Sequence, residues 1–321
     1  MKAIVQTRYG SPDVLSLQNI DTPKPAKGDV LVKVNTVSVT PADSAFRQGK
    51  PFVIKMLYGL RKPRFVVGGV EFSGEIAAVG AGVERFKVGD QVFGISADRF
   101  GGYAEYLTMS VGKAITHRPD WLSDEDATGI ADGAATAQTF LREVANVQPG
   151  QRVLINGASG AVGAYAVQIA KYMGAEVTGV SSGKNLEWVK DLGADHVIDY
   201  QQQDFSQGDT HYDVIFDAVG KSSFNTAKQV LTATGIYMST VISAQILWQT
   251  LITSKSQGKR AGFTTAGLKQ SRDTLEYLAS LAKKGAIRAT VEREFSLEQL
   301  PDAHRYVDTG HKRGNAIVRV A

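Results

Sequence analysis

The clearest chemistry in the chain lies in Val153-Leu154-Ile155-Asn156-Gly157-Ala158-Ser159-Gly160-Ala161-Val162-Gly163. An apolar strand runs into a glycine-rich turn that opens an apolar helix. The free amides and the dipole at such a helix start suit a pyrophosphate. Gly160 lets the backbone approach the phosphates, Gly163 lets the helix pack closely on the strand, and Ser159, Ala161 and Val162 complete the turn. Ala158 stands where the usual G-x-G-x-x-G has its first glycine. A lone glycine turn is more often structural, but the strand and the helix on either side favour a dinucleotide site. About twenty residues on, an NAD-binding fold places an acid that holds the ribose hydroxyls. This chain has Val180-Ser181-Ser182-Gly183-Lys184 there. The hydroxyls of Ser181 and Ser182 and the Lys184 ammonium suit a 2′-phosphate, which an acid would repel, so NADPH is the expected cofactor.

Other reactive groups are sparse. Cysteine is absent, which removes disulfides, thiolate nucleophiles, iron–sulfur clusters and every zinc site that needs sulfur. The five histidines show no H-E-x-x-H or similar ligand spacing. His304 and His311 lie seven apart on one helix face, ordinarily a solvated one, so no metal site is expected. Tyr58 and Lys62 spell Y-x-x-x-K, the catalytic pair of short-chain reductases, but far upstream of the glycine turn where those enzymes carry it downstream; chance explains it better. Without a metal to polarise a simple alcohol, a quinone or conjugated carbonyl is the more natural hydride acceptor. Thr40, Tyr58 and Thr136 are the candidate proton donors. Phe46, Phe52, Tyr58 and Trp248 are candidates for an apolar cleft, although the stretch Gln245–Ile252 is more often plain packing.

These groups need a frame. A chain of 321 residues suits two domains, and 43% apolar against 21% charged residues excludes a disordered chain. The net charge of +4 and pI near 9.0 come with no basic block of the kind that binds nucleic acid. The start Met1-Lys2-Ala3-Ile4-Val5-Gln6 reads as no signal peptide, so a cytoplasmic protein is expected. Two uncharged stretches, 153–170 and 229–254, carry turn glycines and polar residues and read as buried strand plus helix, with no membrane partner expected. Seven of the nine prolines fall within the first 119 residues. They separate short β-like runs at 2–6, 29–37, 65–70, 74–79, 91–94 and 104–108, a mostly antiparallel barrel or sandwich. After Trp121 the period changes. Ser123 caps a helix with an acidic first turn. Strands at 152–156, 176–180, 196–198, 213–217 and 235–240 then alternate with helices at 161–173, 184–192 and 222–231, which predicts a parallel sheet wound on both faces. Helices at 271–284 and 297–309 and strands at 288–294 and 315–320 follow. Whether they extend that sheet or return to the barrel stays open on pattern alone.

The segment Ala158–Gly163 resembles the A-x-G-x-x-G turn of the zinc-independent quinone oxidoreductase (zeta-crystallin-like) branch of the medium-chain dehydrogenase/reductases. Gly69-Val70-Glu71-Phe72-Ser73-Gly74, Phe86–Gly94, Gly101–Tyr106, Gln148–Ile155, Leu192–Asp195, Ile198-Asp199-Tyr200 and Ala303–Val307 agree in the family's order. The resemblance implies an α/β fold: a GroES-like β-barrel catalytic domain over 1–121 and 266–321, and a Rossmann doubly wound sheet over 122–265, with a homodimer formed through the latter. It implies Tyr200 beside the 2′-phosphate with Ser181 and Lys184 as neighbours, and Thr136 near the nicotinamide. Val219, Gly220, Ser239 and Thr240 would follow strands that abut the cofactor, and Asn315 would approach it from the C-terminal segment. Thr40-Pro41-Ala42-Asp43 departs from the usual Asn-Pro-x-Asp, and Glu71 replaces the commoner Asp. The implied activity is hydride transfer from NADPH to a small quinone or α,β-unsaturated carbonyl. The alternatives are reduction of an aldehyde or ketone and non-catalytic NADPH binding.

Overall fold

The computed structural model describes residues 1–320, and the chain divides into two compact units. Unit one holds residues 1–132, 267–281 and 289 onward; unit two holds 133–266 and 282–288.

In unit one, β1 (Lys2–Gln6) and β2 (Leu15–Asn19) form an antiparallel hairpin. Strands β3 (Asp29–Ser38), β4 (Glu71–Val79), β5 (Gln91–Ile95), β6 (Tyr106–Ser110) and β7 (Ile115–His117) build an antiparallel sheet. β3 pairs with β4 and with β6, and apart from exposed Lys33 it is buried along Asp29–Val34, so both of its faces are covered and its run reads as nearly continuous apolar in place of clean alternation. Val30, Val32, Val34, Phe72, Ile76, Val92 and Ile115 share one core. The run 65–70, expected as a strand, makes only a single bridge from Val67 to Val5. Gly69 takes φ +82°, and a Cβ there would sit 2.6 Å from the Tyr103 ring, so the chain bends round that ring.

Unit two contains β8 (Arg152–Asn156), β9 (Glu176–Ser181), β10 (His196–Asp199), β11 (Tyr212–Asp217), β12 (Leu231–Ser239) and β13 (Arg260–Gly262). All pairings are parallel, in the order β10-β9-β8-β11-β12-β13. The order reverses between β8 and β11, and a crevice at the carboxyl ends of strands beside such a switch point is where ligands bind. The helix expected at 222–231 shrinks to Phe224–Ala227, because Val230 and Leu231 are drawn into the sheet: the Tyr212 amide donates to the Val230 carbonyl.

The two C-terminal strands return to the sheet of unit one, while 282–288 stays with unit two. β14 (Val291–Ser296) pairs in parallel with β15 (Asn315–Arg319), which joins β3 antiparallel through Ile317–Ser38 and Val318–Val37.

Candidate functional site

In unit two the glycine turn is anchored at its start and left open at its end. The amides of Gly157 and Ala158 both donate to the Val180 carbonyl, at 3.1 and 2.9 Å. A Cβ at Gly163 would lie 2.1 Å from the Gly157 carbonyl oxygen, so that glycine holds helix against strand. Ala158 replaces a glycine without penalty because Gly179 on β9 faces it; a Cβ there would come 3.1 Å from that of Ala158. Gly160 differs. Its backbone is extended (φ −77°), and a Cβ would meet nothing nearer than an oxygen at 3.5 Å. It starts the helix Ala161–Tyr172 with no side chain capping it, so the first-turn amides are left for an anion. Open space at Gly160 over uncapped amides fits a pyrophosphate.

The remaining expected cofactor residues of unit two lie along the carboxyl ends of the strands. The Ser181 hydroxyl donates to that of Ser159 at 2.8 Å, and the Tyr200 amide donates to the Ser181 carbonyl, so these three are brought together. Ser182 precedes the short turn Gly183–Asn185, on which Lys184 is exposed, as is Tyr200. The sequence reading missed Asp199: its Oδ2 would be 2.7 Å from a Cβ on Gly183, and its Oδ1 accepts from the Gln201 amide. An acid thus sits near the end of β9 after all, supplied by the next strand.

Asp217 was missed as well. Fully buried at the end of β11, it accepts from Asn156 Nδ2, the amides of Val219, Gly220 and Ser222, and the Tyr237 hydroxyl, at 2.8–3.2 Å. Burial and this carboxylate push the Tyr237 phenol up. Thr240 donates its hydroxyl to the Ala218 carbonyl, and the Ser239 hydroxyl accepts from the Val241 amide. Asp217 therefore shapes the loop that carries Val219 and Gly220 beside Ser239 and Thr240. Its only signal in sequence was a carboxylate closing an apolar run, Val214-Ile215-Phe216-Asp217. Thr136 is half-buried on the helical turn Ala135–Gln138, which packs on the helix Ala161–Tyr172.

Thr40, Tyr58 and Asn315 belong to unit one. Thr40 caps the helix Pro41–Gln48: its hydroxyl donates to Asp43 Oδ2 at 2.7 Å and accepts from the Asp43 amide at 3.2 Å. Asn315 has its side chain engaged inside the unit, donating to Asp132 and accepting from Thr290. Asp43, which is buried, and Glu71 and Asp132, which are half-buried, act on one another electrostatically, a group of acids that sequence spacing does not assemble. Burial pushes Asp43 up to about 6, with Asp132 adding repulsion against the Thr40 hydrogen bonds. Glu71, which accepts from the Ser38 hydroxyl, is raised by burial and by the charges of Asp132 and Asp43. Asp132 is raised by burial, offset by Lys312 and Asn315, and burial lowers Lys312.

Tyr58 stands edge-on to Phe46 at 4.8 Å and to Phe100 at 5.7 Å, and burial raises its phenol. These rings line a cavity of about 40 Å³ with Asp43, Tyr103 and His304. Phe52 and Trp248 are exposed and do not line it. His304, expected on a solvated face, is instead buried: Arg47 Nε donates to its Nδ1, and burial with the Arg47 charge pushes it down to about 3. Among the described residues no three His, Asp or Glu side chains gather as a metal site.

Two family models match, "Alcohol dehydrogenase GroES-like domain" over residues 26–120 and "Zinc-binding dehydrogenase" over 192–318. The zinc named in the second has no sulfur donor here, since the chain has no cysteine, and no cluster of other donors replaces it among the described residues. The human mitochondrial NAD(P)H oxidoreductase RTN4IP1 is 31% identical, with the match covering 100% of this chain and 89% of that protein. The chloroplastic quinone-oxidoreductase QR1 of Triphysaria versicolor is 28% identical over 99% of this chain and 98% of its own. The structure of the quinone oxidoreductase from Coxiella burnetii is 31% identical, with a TM-score of 0.91, covering 100% of this chain and 99% of that one.

Proposed function

The chain belongs to the zinc-independent quinone oxidoreductase branch of the medium-chain dehydrogenase/reductase superfamily, and on that premise we propose that it is an NADPH-dependent reductase of quinones or α,β-unsaturated carbonyls. The observation that carries the cofactor assignment is the uncapped helix start under the open space at Gly160. The amides of Ala161, Val162 and Gly163 would hold the pyrophosphate; Ser181, Ser182, Lys184 and Tyr200 would hold the adenosine end. Val219, Gly220, Ser239, Thr240 and Thr136 would shape the rest of the site. Bound NADPH supplies the hydride. The acceptor must then take a proton, and Thr40 is the hydroxyl we assign to hand it on. While Asp43 is a carboxylate, the Thr40 hydrogen points at it. Once Asp43 is protonated, the 2.7 Å bond can reverse, with Asp43 donating and the Thr40 hydrogen released toward an acceptor. A homodimer and a cytoplasmic location belong to the same reading and are checked by sedimentation and by fractionation.

Initial rates of NADPH oxidation across quinones, enones and saturated aldehydes test the activity. Faster turnover of the first two classes is expected. Preference for saturated aldehydes would favour carbonyl reduction instead, and no oxidation in any class would leave a binding protein.

Cofactor choice has its own test. Lys184→Glu places an acid where a 2′-phosphate is expected, close to Asp199. A charge-assisted phosphate contact is worth roughly 1.5–3 kcal/mol, so the NADPH KM should rise about ten- to a hundred-fold while that for NADH barely moves. A parent enzyme that already prefers NADH would overturn the assignment and point to Asp199 as the ribose ligand.

A further inference from the structure

Residues 44–70 of unit one contain no Asp or Glu. Within them the seven-residue helix Phe52–Tyr58 and the turn after it are fixed from one side only. The Tyr9 hydroxyl donates to the Gly59 carbonyl at 2.6 Å, Tyr58 packs among Phe46, Phe65 and Phe100, and the Lys55 ammonium rests 5.2 Å from the centre of the Tyr9 ring. A helix held this way normally turns polar residues to water. Here Phe52, Met56, Leu57 and Leu60 are each about two-thirds exposed (64–66%), and Val66 beyond them is exposed too. Lys50, Arg61, Lys62 and Arg64 are exposed around them, with Lys55 half-buried between. Among the described residues, the ion pairs of the chain involve none of these five cations.

An exposed apolar face marks a partner, and a rim of cations without an anionic partner, two of them resting on the aromatic rings of Tyr9 and Phe65, marks an anionic one. A lysine- and arginine-flanked helix with Phe, Met and Leu outward is also the composition that settles into the headgroup boundary of a bilayer. From this juxtaposition we propose that the 50–64 segment docks the protein on the surface of an anionic lipid membrane. The contact lies on the membrane and does not cross it; among the described residues no helix is long and apolar enough to cross one. It amends the expectation of no membrane partner, and it stands whether or not the acceptor is a quinone.

The test is co-sedimentation of the full chain with vesicles of phosphatidylcholine alone or mixed with phosphatidylglycerol. Binding is expected to the mixed vesicles, weakly or not at all to the neutral ones, and to fade in high salt. Phe52→Ser with Leu57→Ser should lower the affinity about ten-fold or more, and so should Arg61→Glu with Lys62→Glu. All four side chains are exposed, so melting temperatures should match the parent's. Trp248→Ser, on the exposed apolar helix Ala244–Thr253 of unit two, should bind like the parent. Equal binding to both vesicle types, no binding to either, or full binding by both double variants overturns the proposal. So does loss of binding in Trp248→Ser alone, or a change in the parent's oligomeric state produced by the Phe52/Leu57 pair, which would make this face a contact between copies.

Discussion

Gly160→Val should fold and melt like the parent and lose NADPH affinity by a hundred-fold or more, whereas Gly163→Ala should damage the fold itself. The two glycines sit three residues apart in one motif, and the structure gives them opposite roles. At Gly160 the backbone is extended and a Cβ finds open space, so a branched side chain enters without strain. Its methyls then occupy the space a pyrophosphate needs and screen the first-turn amides, which removes several charge-assisted hydrogen bonds together. At Gly163 even one methyl would lie 2.1 Å from a backbone oxygen and 2.9 Å from the Ala158 Cα, and backbone cannot swing away as a side-chain tip can. Strand and helix must separate, so a loss of several kcal/mol is expected, at the large end for single substitutions. Fluorescence titration with NADPH, read beside circular dichroism and melting curves, separates the outcomes. Tight binding by a folded Gly160→Val would move the cofactor off this turn. A stable Gly163→Ala would show that the motif needs only one glycine.

The parts of this molecule that were legible in sequence are those encoded over short distances. β8, the glycine turn and the following helix occupy consecutive residues, and each has a local reason: an apolar run, a turn glycine, an apolar helix face. β9, β10 and β11 were found by the same signal, and Ser123 caps its helix by accepting from the Asp126 amide as expected. What escaped depends on distant partners. Phe65–Val70 has the composition of a strand, but Gly68 and Gly69 are shaped by Tyr103, more than thirty residues on, and the segment bends after its one bridge to Val5 instead of continuing as a strand. Ala158 reads as a flaw in the motif until Gly179, on another strand, is seen to make room for it. His304 looked solvated because its burial is created by Arg47, which sequence places 257 residues away. The acid group is the extreme case. Asp43, Glu71, Asp132 and Lys312 come from four separate regions, and nothing in the spacing of single charges announces that they will influence one another inside unit one.

That interior makes the stability of the protein depend on pH in an unusual sense. A carboxylate that is paired in the folded state normally weakens a protein as the pH falls; Asp43 should act the other way. Its folded value of about 6 lies above its ordinary 3.8, so the fold favours the protonated form. The contribution is fully present below pH 4 and is lost as the pH rises through 6, for a total of about 3 kcal/mol by pH 8. Glu71 and Asp132 are raised too and add in the same direction. Asp43→Asn cannot ionise, yet its amide oxygen can still accept from the Thr40 amide and hydroxyl, as the carboxylate does at 2.9 and 2.7 Å. Parent and variant should therefore melt together near pH 4 and diverge as the pH rises, the variant becoming the more stable by several degrees at pH 8. The measurement is a melting temperature for both proteins at half-unit steps from pH 4 to 8. A variant weakened by the same amount at every pH would mean that the fold uses Asp43 as a charged acceptor. Divergence toward low pH would place its folded value below 3.8, and the reversal of the Thr40 hydrogen bond would lose its basis.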